Sequence, residues 1–361
     1  MILSSEVTGV RVAPRLTGVA RPNSAPKGRR VTGEMGTLWA FGARKVPNSP
    51  FLPPSPPGNG DGEMGQNLTV TEMGMIARDL LAQEQEASVM GATSLGLFLR
   101  LSPAWVIFIS LEAYRGPLTL NLKRDSGGLK RLTPSPPTGS SARIYPDRIV
   151  FSSSDLVINT GQSMFWQAPA RPEGNLPPAQ LKAQLEGVAR LVLAGQKPSL
   201  LGSLLPVLLG FEAESNTGGD VFSPLLERLG RSLGGNDIPA IAEAIEAFLG
   251  LGTGLTPSGD DLILGLLLAV NRWGQVLDPS LEVEALNQTV LPLAYRRTTL
   301  LAANLIECAS RGQADERLLL ALDGIVTGQP DKQTCASCLA GWGNSSGLDA
   351  LVGMALVLAL I

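Results

Sequence analysis

The residues of this chain best suited to chemistry are aspartates carried by two copies of one motif. Thr256-Pro257-Ser258-Gly259-Asp260-Asp261 leads into Leu262-Ile263-Leu264-Gly265. Asn344-Ser345-Ser346-Gly347-Leu348-Asp349 leads into Ala350-Leu351-Val352-Gly353. Both copies read Ser-Gly-x-Asp-x-x-x-Gly, and both run into apolar segments that must be buried. Each Ser-x-x-Asp spacing fits a capping box at a helix start, worth on the order of 1 kcal/mol. Gly265 and Gly353 follow the aspartates by four residues, on the same helix face, where glycine marks close helix contact. Spacing alone therefore predicts two capped helices crossing at their glycines. The sequence holds more than a cap needs, however. Gly252-Thr253-Gly254 frees backbone N–H groups ahead of a helix N-terminus, the makings of an anion site. If the helix starts lie on one side of the crossing, Asp261 and Asp349 converge, and paired carboxylates can orient a substrate amide or hold a metal ion.

The chain has no histidine, which removes the usual general base near neutral pH and every Ser-His or Cys-His nucleophile. Phosphate meets a further obstacle. A carboxylate about 5 Å away repels each phosphate charge by roughly 3 kcal/mol at an effective dielectric of 20, while a helix terminus returns less than about 1 kcal/mol. An anion at this site needs Mg²⁺ or arginine, and Arg296-Arg297-Thr298-Thr299 is the nearest candidate source. Cys335-Ala336-Ser337-Cys338 is a lone CxxC, with Cys308 the remaining thiol. Without histidine these cannot complete a four-ligand zinc site within one chain, so they read as helix packing.

A net charge of −3 gives no strongly basic face, which argues against nucleic acid as a partner. No apolar run reaches the roughly 18 residues that span a bilayer. Three cysteines make no disulfide framework in a chain of 361 residues, and a reducing cytoplasm is the expected compartment.

The elements that must position the motifs fall into three stretches. Residues 1–70 are rich in Pro, Gly and Arg and read as a disordered extension, unable to bury enough apolar surface to offset ordering entropy. Residues 71–175 open with a helix predicted over Thr71–Gln85. Strand-like runs follow at Ala87–Leu101, Trp105–Leu111, Leu118–Leu122, Arg143–Phe151 and Leu156–Asn159. Residues 176–361 read as helices: Ala179–Ala194, Ser199–Leu209, Phe222–Leu233, Ile238–Leu249, Ser258–Trp273, a long segment near Leu281–Arg311, Ala314–Val326 and the last motif helix. The expected fold class is α+β: an antiparallel β-rich N-terminal domain followed by an all-helical C-terminal domain.

The string Gly252-Thr253-Gly254-Leu255-Thr256-Pro257-Ser258-Gly259-Asp260-Asp261, with Thr298-Thr299 opening a helix that runs to Arg311-Gly312 and Gly343-Asn344-Ser345-Ser346-Gly347-Leu348-Asp349 beyond it, resembles the AllH-type family. That family includes a subunit of the oxamate carbamoyltransferase of allantoin breakdown. The resemblance implies a subunit of a multi-subunit carbamoyltransferase, moving a carbamoyl group between phosphate and the nitrogen of oxamate. It also implies a hetero-oligomer with other such subunits. Asp260, Asp261, Asp349 and Asn344 become the expected catalytic residues. Gly252, Gly254, Thr256, Ser258, Gly259, Arg297, Thr298, Ser345, Ser346 and Gly347 are expected to bind carbamoyl phosphate or a similar small anion, with Mg²⁺ at Asp261 and Asp349 if a metal takes part. This chain has Asn344 where many members of that family carry histidine. Two competing readings are a non-catalytic scaffold and a metal-dependent enzyme using the paired aspartates.

Overall fold

Apolar residues at every second position build the first half of the fold. In β3 (Gly96–Leu101), Leu97, Leu99 and Leu101 are buried while Arg100 is exposed, the period of a strand with one face in a core. The structure, a computed structural model, describes residues 66–102, 104–123, 132, 135–195, 199–211 and 222–360. The predicted extension over residues 1–70 thus falls almost wholly outside the described residues.

The other strands are β1 (Asn67–Gly74), β2 (Gln85–Thr93), β4 (Trp105–Ser110), β5 (Thr119–Leu122), β6 (Ser141–Tyr145), β7 (Arg148–Phe151), β8 (Val157–Asn159) and β9 (Met164–Trp166). They are joined in the order β5-β4-β3-β2-β6-β7-β8-β1-β9, and β1 also pairs with β5, which closes the sheet on itself. Most pairings are antiparallel, as expected, but β1–β8, β1–β9 and β4–β5 are parallel. Closing the ring brings together strands whose directions are already fixed by the hairpins between them. The helix predicted from Thr71 begins only at α1 (Met75–Leu81). Glu72 and Met73 pair instead with Asn121 and Leu120 of β5 and with Met164 and Phe165 of β9, so ladder bonds override the helical spacing of Met73, Ile76 and Leu80.

The second half is helical: α2 (Pro178–Gly195), α3 (Leu204–Leu209), α4 (Ser223–Gly234), α5 (Ile238–Phe248), α6 (Ser258–Ala269), α7 (Gln275–Leu277), α8 (Val283–Arg297), α9 (Leu300–Ala309), α10 (Glu316–Thr327), α11 (Lys332–Ala340) and α12 (Ser346–Leu358). A π-turn, Val270–Gly274, joins α6 to α7. The single segment expected over Leu281–Arg311 is two helices, broken where Thr298 turns extended. α11, which carries the CxxC, was not anticipated as a helix.

Two apolar clusters form, one inside the sheet around Val70, Leu99, Ile107, Ile144 and Ile158, the other among the helices. α6 and α12 lie at the centre of the second. Every residue from Gly259 to Ala269 and from Gly347 to Leu358 is buried, as expected of helices apolar on all sides. The sheet docks on the helices through polar contacts. Asn304 Oδ1 accepts from the Val106 N–H at 2.9 Å, Arg115 pairs with Glu316, and Arg317 pairs with Glu112 at 3.0 Å. No helix among the described residues is long and apolar enough to cross a membrane.

Candidate functional site

The two motifs fold into two copies of one helix-loop-helix, α5–α6 and α11–α12. In each, the first motif glycine lies against the helix before it: a Cβ on Gly259 would sit 1.9 Å from the Phe248 carbonyl oxygen, and one on Gly347 would sit 1.9 Å from that of Leu339. The Gly259 N–H donates to Leu251 O at 2.8 Å, and the Gly347 N–H donates to Trp342 O at 3.0 Å. Gly252 (φ 115°) and Gly343 (φ 66°) turn the chain at matching points, in the left-handed region that disfavours residues with a Cβ. The second motif glycines make the crossing. A Cβ on Gly265 would lie 2.0 Å from Ala350 O, and one on Gly353 would lie 1.9 Å from Leu262 O. The two helix starts therefore sit side by side.

Asp261 and Asp349 are 2% and 0% exposed. The hydroxyls cross between the copies: Ser258 of the first motif favours the charged form of Asp349, and Ser346 of the second favours that of Asp261. Asp349 Oδ1 also accepts from the Ser199 hydroxyl at 2.8 Å and the Leu201 N–H at 3.2 Å. Asp261 Oδ2 receives a long contact from Thr256 Oγ1, 3.4 Å, and Thr256 meets Ser346 Oγ at 3.5 Å across the two loops. The remaining oxygens, Asp261 Oδ1 and Asp349 Oδ2, are enclosed without a hydrogen-bond partner. Such groups are rare and costly to leave unmade.

Burial sets the protonation of the pair. It lifts the Asp349 carboxyl to about 6 against the hydrogen bonds from Ser199, Ser258 and Leu201. Burial also holds Asp261 well above the ordinary carboxylate value, opposed by Ser346 and Thr256 and reinforced by the charges of Asp349 and Asp260. Burial thus works against charge on both carboxyls of the pair.

Asp260 serves the loop. Its Oδ1 accepts from the Gly250 N–H at 2.7 Å and its other oxygen from the Thr298 hydroxyl. Thr299 caps α9 and donates to Leu255 O at 2.6 Å, so Gly250 and Leu255 are both tied to the α8–α9 junction. Gly252 and Gly254 lie exposed between those tethers. The second loop is held by Arg317, only 4% exposed, which donates to the Gly341 carbonyl, pairs with Asp315 and Glu112, and stacks on Tyr114. Asn344 stands exposed on that loop, with Ser345 half-buried before α12.

Three expectations need revision. Ser258 and Ser346 are the first helical residues and not caps; Pro257 and Ser345 hold the cap positions, with no side-chain cap bond, and their carbonyls accept the first N–H groups. That one-residue displacement frees the hydroxyls to face the opposite motif. Arg297 is not brought to the carboxyl pair; its guanidinium is exposed and paired with Glu246. Thr298 reaches Asp260 and not the pair. Sequence reasoning missed Ser199, which arrives from a segment 150 residues away, and Arg317. A serine followed three residues later by Gly202 was the only local sign of the Ser199 turn, in which the Gly202 N–H donates to Ser199 Oγ at 2.7 Å. Among the described residues no group of three or more His, Cys, Asp or Glu side chains is placed to hold a metal ion. Burial pushes the thiols of Cys308 and Cys335 up to about 12, so neither supplies a thiolate near neutral pH.

No solved structure matches the chain. Residues 248–358, from the last residue of α5 to the last of α12 and so including both motif copies, match the family model described as oxamate carbamoyltransferase subunit AllH.

Proposed function

We propose that this chain is a subunit of a multi-subunit oxamate carbamoyltransferase acting in cytoplasmic purine-nitrogen breakdown, and that the Asp261–Asp349 pair is its share of the active site. The observation that carries the reading is the coincidence of the family match with the two enclosed, unpartnered carboxyl oxygens between the motif helices. In the transfer, the oxamate amide nitrogen attacks the carbamoyl carbon. An N–C bond forms, the C–O bond to phosphate breaks, and the nitrogen loses a proton. With its pKa near 6, Asp349 is suited to accept that proton. Asp261, whose carboxyl burial raises toward the protonated form, is suited to donate a hydrogen bond to oxygen carrying developing charge. The tethers from Asp260, Thr299 and Arg317 would fix both loops, so that catalysis rests mainly on positioning.

The test is reconstitution. The chain is combined with the other subunits of an oxamate carbamoyltransferase, and phosphate-dependent cleavage of oxalurate is measured. Activity that requires this chain and falls at least 100-fold in Asp349→Ala supports the proposal. Full activity in an assembly carrying Asp349→Ala would instead assign the chain a scaffolding role.

A further inference from the structure

The carboxyl pair has a polarity that narrows what it can hold. Its two unpartnered oxygens are Asp349 Oδ2 and Asp261 Oδ1. Hydrogen-bond geometry tells the two carboxyls apart. Asp349 Oδ1 is fixed by two donors, the Ser199 hydroxyl at 2.8 Å and the Leu201 N–H at 3.2 Å, which stabilise a carboxylate. Asp261 has hydroxyl contacts in that role, from Ser346 and, at 3.4 Å, from Thr256, and hydroxyls can accept from a protonated carboxyl as well as donate to a charged one. One open oxygen therefore accepts and the other carboxyl can donate.

Nothing at the pair counters an anion. The charged groups acting on Asp261 are Asp349 and Asp260, both acidic. Arg297 is turned outward to Glu246. Arg317 is consumed by Asp315, Glu112 and the Gly341 carbonyl. A phosphate about 5 Å from one carboxylate would be repelled by roughly 3 kcal/mol per charge, with no cation to offset it. Among the described residues no third His, Cys, Asp or Glu side chain joins the pair to hold a divalent cation.

We infer that this site binds an uncharged primary amide group, the –CO–NH₂ end of a substrate, and excludes phosphate, which must be held by another subunit. This deepens the proposal above and rests on its identification of the site. The amide N–H donates to Asp349 Oδ2, and the amide oxygen accepts from the Asp261 carboxyl. The hydroxyls of Thr256 and Ser346, which both act on Asp261, stand 3.5 Å apart, at the limit of a hydrogen bond, so neither is firmly held by the other.

Thermal melting of the full-length chain tests this without any transfer assay. The probes are oxamide, oxamate, inorganic phosphate and Mg²⁺ alone. At ten times its dissociation constant, oxamide should raise the melting temperature by about 2–5 °C, while phosphate and Mg²⁺ should leave it unchanged. The variants separate the two carboxyls. Asp261→Asn keeps a donor and should bind oxamide within about threefold of the parent. Asp349→Asn loses the acceptor, because Ser199 and Leu201 hold its amide oxygen and leave the NH₂ in the Oδ2 position; oxamide affinity should fall at least tenfold. Both are near-isosteric, and each is compared with its own unliganded melting curve. A shift with phosphate or Mg²⁺ but not with amides would overturn the inference, as would no shift with any probe or equal loss in both variants. An amide shift with the predicted variant pattern but no carbamoyl transfer in the reconstituted assembly would leave the site standing and reject the reaction.

Discussion

Replacing Asp349 by asparagine should change how stability depends on pH, by an amount the structure sets. Burial raises the Asp349 carboxyl from 3.8 to about 6. A raised carboxyl binds its proton more tightly folded than unfolded, so its contribution is best at low pH and is lost as pH climbs from the unfolded value through 6. Two units at 1.36 kcal/mol each make the full loss about 3 kcal/mol above pH 7. Asparagine presents the same shape without a titrating proton, and its oxygen still accepts from Ser199 and Leu201. The parent should therefore lose stability relative to Asp349→Asn as pH rises, by about 1 kcal/mol at pH 4.5 and about 3 kcal/mol at pH 7.5, a widening of about 2 kcal/mol. Urea denaturation of both proteins at four pH values between these limits measures it. Asp278 and Asp331, whose carboxyls are lowered by local hydrogen bonds, tilt both curves equally and cancel in the difference. A gap that stays constant with pH would show that Asp349 is not held uncomfortably charged, and the argument for a one-proton pair would fail with it.

Three other substitutions probe what holds the site. Gly353→Ala places a methyl 1.9 Å from the Leu262 carbonyl and must push α6 from α12; a loss of about 2 kcal/mol or more is expected in denaturant melts, despite alanine's better helix propensity. Arg272→Met strands Asp323, which is buried against both Arg272 and the Trp273 indole N–H, and should cost about 3–5 kcal/mol by the same measurement. Asp260→Leu removes the acceptor for Gly250 N–H and Thr298, so hydrogen exchange over residues 250–257 should quicken at least tenfold while α12 keeps its protection.

The motif pair was legible because it repeats, and its glycines carried the geometry. Gly265 and Gly353 announced a close crossing, and the helices do meet backbone to backbone there. The caps were misread because Ser-x-x-Asp satisfies two structures that differ by one residue. In the first copy Pro257 holds the cap position, and its carbonyl accepts from the Asp260 and Asp261 N–H groups. Strand β1 was hidden because Met73, Ile76 and Leu80 also fit a helix; only pairing with β5 and β9, distant in sequence, settles it. Ser199 was invisible for the same reason, since its partner lies 150 residues away.

The most informative feature is where the two copies differ. Gly252 and Gly343, Ser258 and Ser346, Gly259 and Gly347, Asp261 and Asp349, and Gly265 and Gly353 occupy matching places, and a strict repeat would give both carboxyls the same surroundings. Two equal buried carboxylates would repel and share a proton without preference. The Ser199–Gly202 turn reaches only Asp349, and the longer loop with Thr256 reaches only Asp261. Those additions outside the motif make the two carboxyls unequal. A duplicated scaffold brings two acids together and gives them unequal neighbours; under the inference drawn above, that inequality makes one the acceptor and the other the donor of an amide.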